Sequence, residues 1–270
     1  MSVTNQHYDL DPRIFGLFLD SSRKYSSGWY ETFDEPLDLA QRQKCALVAD
    51  LVHAGPGSRV LDLGSGWGAL ALYLARERGC DVTGISPAPR QREYVESQAG
   101  DLPVRIVTSP FETADGLPTG LDAVTALGSV VHMPDLPAVF AKARSLLRRD
   151  GRMYVSESCF RNQAIRDRFD RVDGTDFVRE TIFGNGELRP LSELVAAAED
   201  AGFSIETSLD LTRHYHRTIA QWIENVQLNA AELNRIQPGI AERLEHYLDV
   251  SNAGWGYTTK HYALVLRNSR

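Results

Sequence analysis

Between residues 59 and 156 the apolar positions switch repeatedly between two periods. Short apolar runs at 59–63, 81–85, 104–108, 121–126 and 151–156 read as buried strands. The stretches 69–78, 89–99 and 137–147 carry apolar residues at helical spacing. Strands alternating with helices of this length predict βαβ units and a mostly parallel, doubly wound α/β sheet with helices on both faces. Two further strand signals, 203–209 and 255–266, bring the expected sheet to seven strands. Upstream, Ile14, Phe15, Leu17, Phe18 and Leu19 form a short apolar helical face. Leu37, Ala40, Cys45, Val48 and Leu51 space a second helix, which Gly55-Pro56-Gly57 stops. Helical patterns return at 191–201 and 214–249, the latter broken at Pro238. The chain therefore reads as one domain over 1–270. It comprises a helical arm (1–52), a ligand-binding half (53–157), cap segments (158–189 and 212–252) and closing sheet elements (190–211 and 253–270).

The densest chemistry lies at Asp62-Leu-Gly64-Ser-Gly66-Trp-Gly68, between the first strand and its helix. Glycine there permits a sharp turn and lets a ligand touch the backbone. The following helix N-terminus offers free N–H groups to a polar ligand, at the switch point where open α/β sheets bind ligands. Gly64, Gly66 and Ala69 also satisfy the dinucleotide pattern G-x-G-x-x-G/A. Asp62 inside the strand and the early third glycine fit it less well, and Gly84-Ile85-Ser86 lacks the carboxylate that would hold a ribose. A tight turn with no ligand is the plain alternative.

Composition narrows the classes. The formal charge of −7, from 29 Lys+Arg against 36 Asp+Glu, argues against a general nucleic-acid partner. No apolar run is long enough for stable membrane insertion. The polar first eleven residues lack the apolar core of a secretory leader. Cys45, Cys80 and Cys159 form no CxxC pair, so a cytoplasmic setting is expected and no structural metal.

Val60-Leu-Asp-Leu-Gly-Ser-Gly-Trp-Gly68 resembles motif I of class I S-adenosylmethionine (SAM) methyltransferases, which have a Rossmann-like sheet. Its Gly-Trp-Gly ending resembles the cyclopropane fatty acid synthase and mycolic acid methyltransferase branch, which also holds coclaurine-type N-methyltransferases and small-molecule C-methyltransferases. Further segments resemble that branch along nearly the whole chain: His7-Tyr8-Asp9-Leu10, Phe15-x-x-Phe18-Leu19-Asp20, Tyr25-Ser26-Ser27-Gly28-Trp29-Tyr30, Leu37-x-x-Ala40-Gln41-x-x-Lys44, Gly84-Ile85-Ser86-x4-Gln91 and His214-Tyr215-x-Arg217-Thr218-x3-Trp222. The resemblance implies SAM as cofactor and S-adenosylhomocysteine (SAH) as product. Tyr25 and Ser26 would close over the SAM carboxylate and methionine end, with Asp62, Gly64, Gly66 and Gly68 facing the cofactor. Ser86 and Gln91 would hold the ribose, or Ser86 would only cap the next helix. Phe111 would stack on adenine with Glu112 at its edge, or Phe111 would be a packed aromatic. Leu127 and Gly128 would lie near the sulfonium.

The resemblance also exposes departures. Cyclopropane synthases of this branch hold a bicarbonate base with a Cys, a Glu, a His and a Tyr. Ser27, Val131 and Ser156 stand at the first three positions, and only Tyr215 matches. Val can neither accept a proton nor hold an anion. Bicarbonate and cyclopropanation are therefore not expected. Glu157 is a replacement base, or the partner of an Arg in 161–171. His132 is a second base or a structural His. Tyr215 positions the acceptor or sits in the core. Ser27, Trp29, Val131 and Trp222 are the expected acceptor pocket, with Tyr30 and Trp255 as further aromatic walls. The Arg161 to Arg171 segment would receive an acceptor phosphate or carboxylate, or would pair with its own acids. The leading expectation is methyl transfer to carbon or nitrogen of a small-molecule acceptor, in bacterial natural-product biosynthesis, by a chain that is free to form a homo-oligomer. The alternatives are a cyclopropane synthase-like lipid enzyme and a SAM-binding cyclase or non-catalytic binding protein.

Overall fold

The computed structural model describes residues 10–171 and 186–269. His7, Tyr8 and Asp9 of the opening segment, and residues 172–185 of the first cap segment, lie outside the described residues.

The arm comprises α1 (Pro12–Phe18) and α2 (Leu37–Leu51). Then follow β1 (Arg59–Leu63), α3 (Ala69–Arg78), β2 (Asp81–Ile85), α4 (Pro89–Ala99), β3 (Val104–Val107), β4 (Leu121–Leu127), a single 3-10 turn at Val130–His132, α5 (Leu136–Leu146) and β5 (Leu147–Phe160). The second half holds α6 (Gln163–Asp170), β6 (Arg189–Pro190), α7 (Leu191–Asp200), β7 (Ser204–Asp210), α8 (Thr212–Leu228), α9 (Ala230–Ile236), α10 (Ile240–Ala253) and β8 (Thr259–Arg267).

The sheet runs β3-β2-β1-β4-β5-β8-β7, with the two-residue β6 beside β5. The first five strands are parallel, and β8 pairs antiparallel with both β5 and β7. The seven-strand, mostly parallel expectation therefore stands, with β6 added as a strand too short to carry a periodic signal. One boundary needs correction. β5 runs to Phe160, so residues 158–160 belong to the sheet and not to the cap, because Ser158, Cys159 and Phe160 pair with His261, Lys260 and Thr259 of β8.

Local chemistry sets the helix ends. The Asp135 carboxylate accepts from the Ala138 N–H and starts α5, and Asn162 does the same for α6 through Ile165. The left-handed Gly79 closes α3. One face of the sheet buries Leu61, Leu63, Val155 and Leu264 under α5 and α7. The other buries Val60, Val82, Tyr154 and Val265 under α2 and α3. A third cluster joins Ile14, Phe15 and Phe18 of α1 to Ile219, Trp222 and Val226 of α8 and to Leu244 and Leu248 of α10. The arm and the cap thus share one core over the carboxyl ends of the strands. Full burial of each such side chain contributes about 1.5–3 kcal/mol. No described helix is long and apolar enough to cross a membrane.

Candidate active site at the glycine turn

The chain leaves β1 through three left-handed residues, Gly64 (φ +71°), Gly66 (φ +55°) and Gly68 (φ +82°). Two of them are required by packing. A Cβ on Gly64 would lie 2.5 Å from the Ser129 Cβ, and one on Gly68 would lie 2.6 Å from a Val95 methyl carbon. Gly66 differs: a Cβ there would meet nothing nearer than the Gly64 carbonyl at 4.0 Å, and one on Gly128 would meet nothing within 4 Å. Both glycines line a groove whose walls include Lys24, Tyr25, Ser65, Gln91 and Leu127. The turn is therefore open where a ligand would lie and closed where it packs on the protein.

Behind the turn, the buried Asp62 carboxylate accepts from Thr125 Oγ1 at 2.7 Å. Burial pushes its pKa up, opposed by the Lys24 ammonium and the Thr125 hydrogen bond. Ser86 does two things at once. Its hydroxyl donates to Gln91 Oε1 at 2.7 Å and accepts from the Ala88 N–H at 3.2 Å. The hydroxyl thus fixes the turn that leads into α4 while Gln91 reaches the groove. Phe111 is buried in the core beneath α5 and is not among the residues that line this groove. Lys142 fixes it there, with Nζ 5.0 Å from the ring centre and hydrogen bonds to the carbonyls of Phe111, Glu112 and Ala114. The Glu112 side chain is exposed.

Tyr25 and Gly128 line this groove and also a second cavity, a chamber of about 970 Å³ counting its open mouth. Tyr215, Trp222, Tyr247 and Trp255 supply aromatic walls, and Ser26, Val131, His132, Glu157 and His261 bring polar and apolar groups to the same space. Glu157 is a buried carboxylate on this wall. One carboxylate oxygen accepts from the Val131 N–H at 3.0 Å and the other from the Ser158 N–H at 2.9 Å. Burial raises its pKa to about 7, although those N–H groups and Arg189 favour the ionised form. No hydrogen bond or ion pair joins it to Arg161, Arg166, Arg168 or Arg171 among the described residues. Arg166 instead pairs with Glu187, Glu193 and Asp170. His132 has its pKa lowered by burial and stands across the chamber wall as a neutral ring.

Ser27 and Trp29 do not line the chamber. The Ser27 hydroxyl donates to the Gly28 carbonyl. The Trp29 ring stacks on His214 at 4.2 Å, with Phe33 on His214 at 5.0 Å. His214 Nδ1 accepts from the Tyr30 N–H at 3.1 Å, so that nitrogen carries no proton. Burial, with repulsion from Lys44 and Arg213, lowers the His214 pKa to about 4. Tyr30 is likewise structural, donating its hydroxyl to Gln221 at 2.7 Å. The aromatic segment from Tyr25 to Tyr30 is thus a clasp between arm and α8, and of it only Tyr25 and Ser26 line the chamber.

His261 is a functional candidate that the sequence reading missed. It lies on β8 opposite Ser158, with Nδ1 3.3 Å from the Ser158 hydroxyl and its ring edge-on to Tyr215 at 4.7 Å. Its Nε2 is buried with no hydrogen-bond partner among the described residues. Burial and Lys44 hold its pKa well below the usual value. Among the described residues no group of His, Cys, Asp or Glu is placed to hold a metal ion.

A protein-family model described as mycolic acid cyclopropane synthetase matches residues 1–263 of the 270. The S-adenosylmethionine-dependent methyltransferase UmaA of Mycobacterium tuberculosis is 28% identical over 251 residues, 89% of this chain and 88% of that protein. The (S)-coclaurine N-methyltransferase of Papaver somniferum is 25% identical over 86% of this chain and 67% of its own length. The crystal structure of mycolic acid cyclopropane synthase CmaA1 with SAH superposes with a TM-score of 0.87 at 24% identity, covering 98% of this chain and 97% of that one. A glycine turn at the switch point, a cap fused to the arm and a match across almost the entire length converge on one result: the chain belongs to the mycolic acid cyclopropane synthetase family of SAM-dependent methyltransferases.

Proposed function

We propose that this enzyme transfers a methyl group from SAM to a nitrogen or carbon atom of a small, aromatic-bearing molecule, with Glu157 as general base, in cytoplasmic natural-product biosynthesis. The observation that carries the reading is the shared wall. Tyr25 and Gly128 border both the groove and the chamber, so a group held on the glycine turn faces directly into the space that contains Glu157.

The residues fit the cofactor. The open sides of Gly66 and Gly128 face the groove that would take a nucleoside sulfonium, and Lys24 stands on its wall. When bound, SAM supplies an electrophilic methyl group on a good leaving group, so alignment carries much of the catalysis. Tyr215, Trp222, Tyr247 and Trp255 orient a flat or cationic acceptor by their ring faces. Each Glu157 oxygen spends one lone pair on a backbone N–H and keeps another for the acceptor's proton. With a pKa near 7 the carboxylate is matched to proton transfer at neutral pH.

A bicarbonate base does not fit. Val131 and Ser156 offer it neither the carboxylate nor the imidazole of the cyclopropane synthases, and a second anion beside buried Glu157 would repel that carboxylate.

Incubation with methyl-labelled SAM and a panel of aromatic amines, phenols, isoprenoids and acyl lipids tests the reading. Label is expected in the nitrogen or carbon of a small acceptor. Label confined to acyl chains would favour lipid modification, and no label anywhere would favour a SAM-binding cyclase. Cofactor binding has its own check. SAH at 100 times its Kd is expected to stabilise the fold by about 2.7 kcal/mol, seen as a raised Tm. An unchanged Tm would contradict cofactor binding.

A further inference from the structure

His261 lies on β8, is buried to 1% exposure, and stands on the chamber wall but not in the cofactor groove. Its backbone N–H donates to Thr212 Oγ1 at 3.0 Å, and Tyr215 packs edge-on against its ring at 4.7 Å. Nδ1 meets the Ser158 hydroxyl at 3.3 Å, whereas Nε2 is buried with no hydrogen-bond partner among the described residues. Trp255 repeats the pattern. Its ring centre lies 6.2 Å from that of His261, it lines the same chamber, and its indole N–H is also buried and unpartnered among the described residues.

A buried polar atom without a partner costs about 1–3 kcal/mol, so such atoms on a cavity wall mark where a ligand's polar group belongs. Burial and Lys44 keep the imidazole neutral. A neutral imidazole carries one N–H, on Nε2 when Ser158 donates to Nδ1 and on Nδ1 when Ser158 accepts. A carbonyl suits only the first tautomer and an ammonium only the second. A hydroxyl suits both, and its oxygen can also accept from the Trp255 indole. The buried Glu157 carboxylate on the same chamber disfavours an anionic group there. We infer that His261 recognises a hydroxyl of the acceptor, so that the molecule methylated is a hydroxylated aromatic one. The inference rests on the methyltransferase reading and deepens it by naming the acceptor's second functional group. Ser158 links the two polar sites, because its N–H donates to Glu157 at 2.9 Å and its hydroxyl meets His261, the residue paired with it across β5 and β8. His261 is thus a specificity-determining residue, and Glu157 keeps the proton transfer.

Methyl transfer from SAM to 3-hydroxyphenethylamine, 4-hydroxyphenethylamine and phenethylamine, followed with the full chain, tests this. The three probes share a flat ring and a nucleophilic nitrogen and differ only in the hydroxyl. At least one hydroxylated probe is expected to show a kcat/KM about 30-fold above that of phenethylamine, the effect of one buried hydrogen bond that the plain ring leaves unmade. In His261→Phe that ratio is expected to fall to within about threefold of unity, the loss falling on the hydroxylated probe. A rise in Tm with SAH reports that the variant is folded. A ratio near unity in the unaltered protein, turnover of none of the three probes, or a preference that survives in His261→Phe overturns the assignment. Should His261→Phe not fold, nitrogen NMR of the unaltered protein with SAH decides. The hydroxylated probe is expected to shift the His261 Nε2 resonance and phenethylamine is not, and a shift from both or from neither overturns the assignment. Transfer to all three probes alike would leave the methyltransferase reading standing, whereas absence of label from the whole acceptor panel would overturn that reading itself.

Discussion

Glu157→Gln is expected to lower kcat by about 10²–10⁴-fold, the usual contribution of a general base, with SAH affinity changed by no more than about twofold. The carboxylate must be ionised to accept a proton, so kcat of the unaltered enzyme is expected to rise with pH through about 7, where burial has brought this group. The variant should lose that rise along with the rate. The same shift has a stability signature of defined sign. The native pKa of about 7 lies above the ordinary value of 4.5, so between those values the native state binds more protons than the unfolded chain. The stability contributed by the protonated group is complete below about 4.5 and is lost as pH rises through about 7. Glu157→Gln removes that slope. It also costs about 1 kcal/mol, because the amide cannot accept from both the Val131 and Ser158 N–H groups. Unaltered turnover would remove Glu157 from the chemistry.

Lys44→Met is expected to stabilise the protein at pH 7 by about 3–5 kcal/mol, an order-of-magnitude figure from the pKa displacement of a fully buried group. Lys44 lies on α2 with no side-chain exposure, its ammonium lacks a hydrogen-bond partner among the described residues, and it stands 5.5 Å from the Tyr154 ring centre. Burial, with Lys24 adding repulsion, lowers its pKa from 10.5 to about 7. Between those values the unfolded chain binds the extra proton, so stability of the unaltered protein rises with pH from about 7 toward 10.5. Urea unfolding at pH 7 and at pH 10 checks both parts. The variant should be the more stable at pH 7, by about 6–20 °C in Tm, and should show no corresponding rise. A Lys44→Met protein that is less stable than its parent would show that the ammonium has a compensating partner in solution.

The parts of the site that could be read from sequence are those where backbone conformation dictates residue type. Gly64 and Gly68 take left-handed backbone (φ +71° and +82°), a local requirement that marks the sequence without help from the rest of the fold. The alternation of parallel strands and helices along the chain followed from apolar runs separated by helical spacing. Aromatic residues were harder to place. Phe111 and Trp29 have the chemistry of ligand platforms, but Lys142 holds one in the core and the stack on His214 holds the other in the clasp, and neither partner is close in sequence. His261 was hidden by strand parity. The apolar signal of β8 was read through Tyr262, Leu264 and Leu266, whereas the chamber lies on the other face, with His261 in line with Ala263 and Val265. Tyr247 and Ser251 reach the chamber from α10, whose placement depends on the shared core of arm and cap.

The crystal structure of the enzyme soaked with SAH tests the central claim most directly. The homocysteine end is expected between Lys24 and Gly66, and the sulfur at the Tyr25–Gly128 boundary, facing Glu157 across the chamber. SAH bound away from the turn, or with its sulfur directed outside the chamber, would contradict it.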